Sequence, residues 1–159
     1  MPKPLTLNEI NRLLAVSVPA TPAAEGWTLN EQLIAEVAMQ LGIEHPIKFR
    51  YTSSRRKHGS VAVRMDANGN YYHRIIVNQW TPRKRINETI WHELCHIVQS
   101  EDWAKRSGRP LHRWMKETYY KANGGYGNTY KGNLYEIQAR EFAAKKCHIM
   151  LLWEGGDTQ

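Results

Sequence analysis

The sequence predicts an α+β domain, and three features carry that expectation. Apolar and polar residues alternate through 47–52 and 61–65, and 72–77 is rich in strand formers, as in half-buried strands. Stripes at helical spacing lie before and after this block, so helices flank the strands instead of alternating with them. The 159 residues, 42% of them hydrophobic and including six Trp and eight Tyr, suit one domain with its own core.

Taken in order, Thr6-Leu7-Asn8-Glu9 has the pattern of a capping box, followed by a stripe of Leu7, Ile10, Leu13 and Leu14. Pro19 and Pro22 then mark a linker, so 1–25 reads as a helical arm and linker and 26–159 as the domain proper. Thr28-Leu29-Asn30-Glu31 is a second capping box, with Leu29, Leu33, Val37 and Leu41 on one face and Gly42 as a stop. Three short strands follow, and Asn68-Gly69 joins the last two as a hairpin. Thr81-Pro82 opens a helix expected to run to about residue 100. A further short helix is expected over 110–122, a glycine-rich loop over 123–133, and a final helix over 134–153.

The net charge of +7 and pI near 9.5 favour anionic partners. The basic residues form short runs, Arg55-Arg56-Lys57, Arg83-Lys84-Arg85 and Lys145-Lys146, which suit either a nucleic-acid surface or a solvated face. Two separated cysteines, Cys95 and Cys147, do not make a disulfide scaffold and point to a reducing, cytoplasmic setting. No stretch has the length of a membrane span, so no membrane partner is expected. The apolar run 13–18 is too short for a signal peptide, and Glu9 and Arg12 stand where a basic leader would begin.

The chemistry centres on His92-Glu93-Leu94-Cys95-His96. Residues four apart share one helix face, so both imidazoles can reach one ion. Zn²⁺ takes imidazole nitrogen readily, and catalytic sites combine three protein ligands with water. Glu93 stands about 100° round the helix from His92, placed to take a proton from water without entering the ligand set. Ile86, Ile90, Leu94 and Ile97 form an apolar face away from the histidines. With seven His and twelve Glu, this pattern arises in roughly two of a hundred shuffled sequences.

The third ligand has several candidates. Glu136 opens Glu136-Ile137-Gln138-Ala139-Arg140-Glu141-Phe142-Ala143, where Glu136, Ala139, Arg140 and Ala143 share a helix face. The two alanines would let this helix lie close to the motif helix and aim Glu136 at the metal. A solvated glutamate favoured by the helix dipole is the competing view. Together the motifs resemble the gluzincin pattern, in which a Glu of an E-x-x-A helix completes the site. The chain is most similar to small predicted metallopeptidases of phage and bacterial genomes that pair HELxH with N-x-x-E-x-x-A, matched by Asn133, Glu136 and Ala139. This resemblance covers roughly residues 45–150.

HELCH also resembles SprT-like proteases of DNA–protein crosslink repair, which use a later His followed by Gly. His112 is placed for that role, but Arg113 stands where the Gly should be. Asp102 falls at the third-ligand position of a metzincin-like motif, although Gln99 replaces the required Gly. Glu141 lies on another face of the last helix. His45, His58, His73 and His148 lack ligand spacing and read as surface or core residues. Cys95 reads as a small packing residue. Tyr119, Tyr120, Tyr126, Tyr130 and Tyr135 surround the gap between the motifs, and one could donate to an oxyanion.

These observations lead to an expected minimal zincin fold, with a three-stranded sheet, an HExxH helix and a C-terminal helix. The resemblance implies a zinc metallopeptidase with His92, His96 and Glu136 as ligands and Glu93 as general base. Its peptide substrate would add as a strand along 72–78. The competing expectations are a DNA-associated protease and a zinc-containing nucleic-acid-binding protein without general protease activity.

Overall fold

The computed structural model describes residues 23–53, 58–119, 133–146 and 148–152. The expected helix at 6–14, the basic run at 55–57, most of the glycine-rich loop, Tyr120, Tyr126, Tyr130 and Cys147 lie outside them.

The fold is α+β. Helix α1 (Glu31–Gln40) is followed by strands β1 (Ile47–Thr52), β2 (Gly59–Met65) and β3 (Tyr71–Asn78). Helix α2 (Arg83–Ser107) comes next, then short 3₁₀ and π turns at Leu111–Arg113 and Met115–Tyr119, and finally α3 (Leu134–Lys145). Of the helix expected over 110–122, the described part up to Tyr119 forms these two short turns. Ala23, two residues before the domain boundary read from sequence at 25/26, is already buried in the core.

Helix α1 starts two residues later than the capping box suggests. The cap is Asn30, whose side chain accepts from the Leu33 N–H at 3.0 Å. Thr28 and Leu29 instead remain extended, because the C-terminal segment pairs with them. The Asn30 N–H donates to Met150 O at 2.9 Å and the Leu152 N–H to Thr28 O at 2.8 Å. That pairing also explains why α3 stops at Lys145 and does not continue to 153. Met150, Leu151 and Leu152 are buried as an extended run. Asn87 and Trp91 of α2 hold it through His148 O, at 2.9 and 3.0 Å, and Asn87 Oδ1 accepts from the Met150 N–H.

The sheet order is β1-β3-β2, with β1 parallel and β2 antiparallel to β3. The expected β2–β3 hairpin is present, and its turn places Gly69 at φ +84°, a conformation that favours glycine. The expectation that 72–78 forms the free edge is incorrect, since β3 is the central strand. Its Ile75 and Val77 are fully buried, whereas every described side chain of β2 keeps some exposure. Seating β1 on the far side of β3 puts the most apolar strand in the middle. The edge beside α2 is therefore β2. Its first residue, Gly59, runs so close to α2 that an added Cβ would meet Thr89 Cγ2 at 2.7 Å and Glu93 Cγ at 3.7 Å.

Helix α2 extends beyond the expected end near residue 100. Its first residue with left-handed backbone is Gly108 (φ +69°), whose N–H caps Ala104 O, and Lys105 and Arg106 complement the dipole in the last turn. Ile86, Ile90, Leu94 and Ile97 form the buried stripe and join Ile75, Val77, Leu33, Ile34 and Trp27 in one core. The opposite face of the sheet, by register, carries Lys48, Arg50, Arg64, Tyr72 and Arg74.

Candidate metal centre

Helix periodicity brings His92 and His96 onto one face of α2, their ring centroids 4.9 Å apart. Helix α3 crosses this face with Ala139 and Ala143 buried against it, and the small side chains permit the close approach that delivers Glu136. Asn133 fixes where α3 begins. Its side chain accepts from the Tyr135 N–H at 2.8 Å and donates to Tyr119 O at 2.9 Å. Glu136 is then buried, with Oε1 2.8 Å from His92 Nε2 and Oε2 3.1 Å from His96 Nε2. The Tyr119 hydroxyl donates to the same carboxylate.

The donor set fits a metal ion. Ligand atoms of His92, His96 and Glu136 lie within 4.8 Å of one another. His96 Nε2 is buried yet in hydrogen-bond geometry with no partner, although it faces Glu136. Its other nitrogen, Nδ1, is 2.8 Å from Gln99 Oε1. Gln99 Nε2 donates to Tyr135 O at 3.1 Å and to Gln138 Oε1 at 3.0 Å, so the amide oxygen is the atom left for the histidine. Gln99 thus keeps the His96 proton on Nδ1 and the lone pair of Nε2 on the ligand side.

The three groups hold one another's charge, and Glu136 stands as a carboxylate. Burial raises the affinity of Glu136 for a proton, but the His92 and His96 rings and the Tyr119 hydroxyl outweigh it and hold the carboxyl well below its usual range. Burial lowers His96, while Glu136, Glu93 and Gln99 together raise it above the ordinary histidine value. Cys95 belongs to neither group of candidate metal ligands among the described residues. Burial, reinforced by the charge of Glu136, pushes its thiol up to about 11, consistent with a packing role.

Glu93 is buried on α2, where its Cγ packs close to Gly59 at the start of β2. The other third-ligand candidates lie elsewhere. His112 is exposed, its Nδ1 2.7 Å from the Tyr71 hydroxyl. Asp102 is exposed and pairs with Arg106 at 2.8 Å, and Glu141 is exposed. Among the tyrosines, Tyr119 and Tyr135 stack near the site at 6.3 Å. Sequence reasoning missed Gln99 as a positioning residue, because its role depends on where α3 lands. It also missed a second group, His45, His73 and Glu101, whose members are far apart in sequence.

Replacing Gln99 by Leu is expected to weaken metal affinity about 10–100-fold while the fold persists, the range for residues that orient a ligand. Competition with a chelator on both proteins measures it.

No family model, curated protein or solved structure matches the chain.

Proposed function

We propose that the protein is a zinc-dependent metallopeptidase of a minimal zincin type. The observation that carries this reading is the convergence of His92, His96 and Glu136 beside a buried Glu93 that stands outside the group. A purely structural site uses closed coordination and has no need of a neighbouring base.

His92, His96 and Glu136 would hold the ion. Zinc, when bound, supplies a Lewis acid that acidifies a water and polarises a carbonyl oxygen. Glu93 accepts the proton of the attacking water on its carboxylate and returns it to the departing amine. Gln99 and Tyr119 orient His96 and Glu136 for their part. Strand β2, paired on one side only among the described residues and nearest to Glu93, offers the edge along which an extended peptide would align.

The test is hydrolysis of an unfolded protein or a peptide library by the purified chain. Cleavage is expected with zinc, to stop on chelation, and to return when zinc is restored. A zinc-loaded chain that cleaves no member of a diverse library would contradict the reading.

A second reading, association with nucleic acid, is favoured by the outer face of the sheet. Lys48, Arg50, Arg64 and Arg74 gather there with Tyr72, over which Lys48 Nζ sits at 4.5 Å, and no acidic residue shares the strand positions of that face. Binding of labelled DNA should then weaken steeply with salt, and Lys48→Ala with Arg50→Ala should reduce the slope by about two phosphate contacts. Unchanged, salt-insensitive binding would remove this reading. No helix of the described residues is long and apolar enough to cross a membrane.

A further inference from the structure

We infer that the chain holds a second divalent metal ion, bound by His45, His73 and Glu101. These three residues come from separate elements: the loop between α1 and β1, the central strand β3, and α2 beyond the HExxH motif. Their ligand atoms lie within 4.8 Å of one another, the same His/His/carboxylate set found at the first site.

The carboxylate oxygen Oε2 of Glu101 is crowded with donors. It lies 2.7 Å from His45 Nδ1, 2.7 Å from His73 Nε2 and 3.2 Å from the His45 backbone N–H. A carboxylate oxygen offers two lone-pair sites, so hydrogen bonding alone would crowd three donors onto two acceptor positions. The other oxygen takes one donor, the Glu44 N–H at 2.8 Å. An ion seated among the group resolves the crowding. Both rings then present lone pairs instead of protons, Oε2 becomes a ligand that still accepts the weak backbone bond, and the Glu44 N–H keeps the carboxylate in orientation.

Burial and access agree with such a site. His73 and Glu101 are buried, and His45 is the half-exposed member. Beside them lies a cleft of about 290 Å³ lined by His45, Tyr71, Glu101, Lys105, Arg109 and Leu111, wide enough for a water to complete the coordination. Imidazole with carboxylate suits zinc and neighbouring transition metals better than calcium or magnesium. The ion here would be structural. The nearby Glu44 is exposed and paired with Lys105 at 2.8 Å, unlike the buried Glu93 of the first site. Its effect is to fasten the α1–β1 loop and the central strand to the helix that carries the HExxH motif.

The experiment is calorimetric titration of the full-length, metal-stripped chain with zinc. Two equivalents are expected. His45→Ala, chosen because this residue is partly exposed and its loss leaves the core intact, should remove one equivalent or weaken it at least 100-fold. Glu101→Gln, which keeps the shape, should do the same. The double variant His92→Ala, His96→Ala should lose the other equivalent, and zinc should still raise its melting temperature. One equivalent in the wild-type chain that His45→Ala and Glu101→Gln both retain would overturn the inference. So would two equivalents that both variants keep. One equivalent lost with His45→Ala but kept by the double variant would support this site and refute the first. The two claims therefore fail separately.

Discussion

Glu93→Gln is expected to reduce peptide hydrolysis by roughly 10²–10⁴-fold, the usual contribution of a general base, while zinc stays bound. The substitution keeps the size of a buried side chain and removes only its ability to accept the water proton. The predicted signature is a fall in kcat with unchanged zinc content in elemental analysis. Loss of zinc together with activity would place Glu93 among the ligands and contradict its role as base. Full activity would remove it from the mechanism.

The second large effect separates the candidate ligands. Glu136→Ala should lower zinc affinity by more than the 10–100-fold that follows loss of an orienting residue, since a direct ligand is removed. It would also leave the Tyr119 hydroxyl and the buried His96 Nε2 without the carboxylate they face. His112→Ala should leave affinity nearly unchanged, because His112 lies against Tyr71 in an exposed position. Chelator competition on both variants measures the difference. A large loss in His112→Ala with little change in Glu136→Ala would favour the SprT-like pattern instead.

What was legible in the sequence follows from the range of each signal. The motif helix, its apolar face and the β2–β3 hairpin depend on local periodicity and turn chemistry, and apart from the later end of the helix at Ser107 they appear as expected. The meeting of Glu136 with the histidines was also legible, because Ala139 and Ala143 announce a close helix crossing. The position of β1 was not. Alternation shows that a strand has one buried face but does not say which neighbours it pairs with, so it cannot tell an edge at 72–78 from the central strand these residues form. The end of α3 is not legible for a similar reason. The apolar run 149–152 suits a helix or an extended segment equally, and a distant partner, residues 28–30 with Asn87, decides between them. The group of His45, His73 and Glu101 had no spacing signal at all, because the path of the chain alone assembles it.

In the proposed mechanism His92, His96 and Glu136 hold the ion that Glu93 serves. Anomalous scattering at the zinc absorption edge, from crystals of the zinc-loaded chain, tests it most directly. The expected result is a peak bonded to Nε2 of His92, Nε2 of His96 and the Glu136 carboxylate at about 2.0–2.2 Å, with Glu93 outside bonding distance. A zinc-loaded crystal with no peak between the two histidines, or with His112 in place of Glu136, would contradict it.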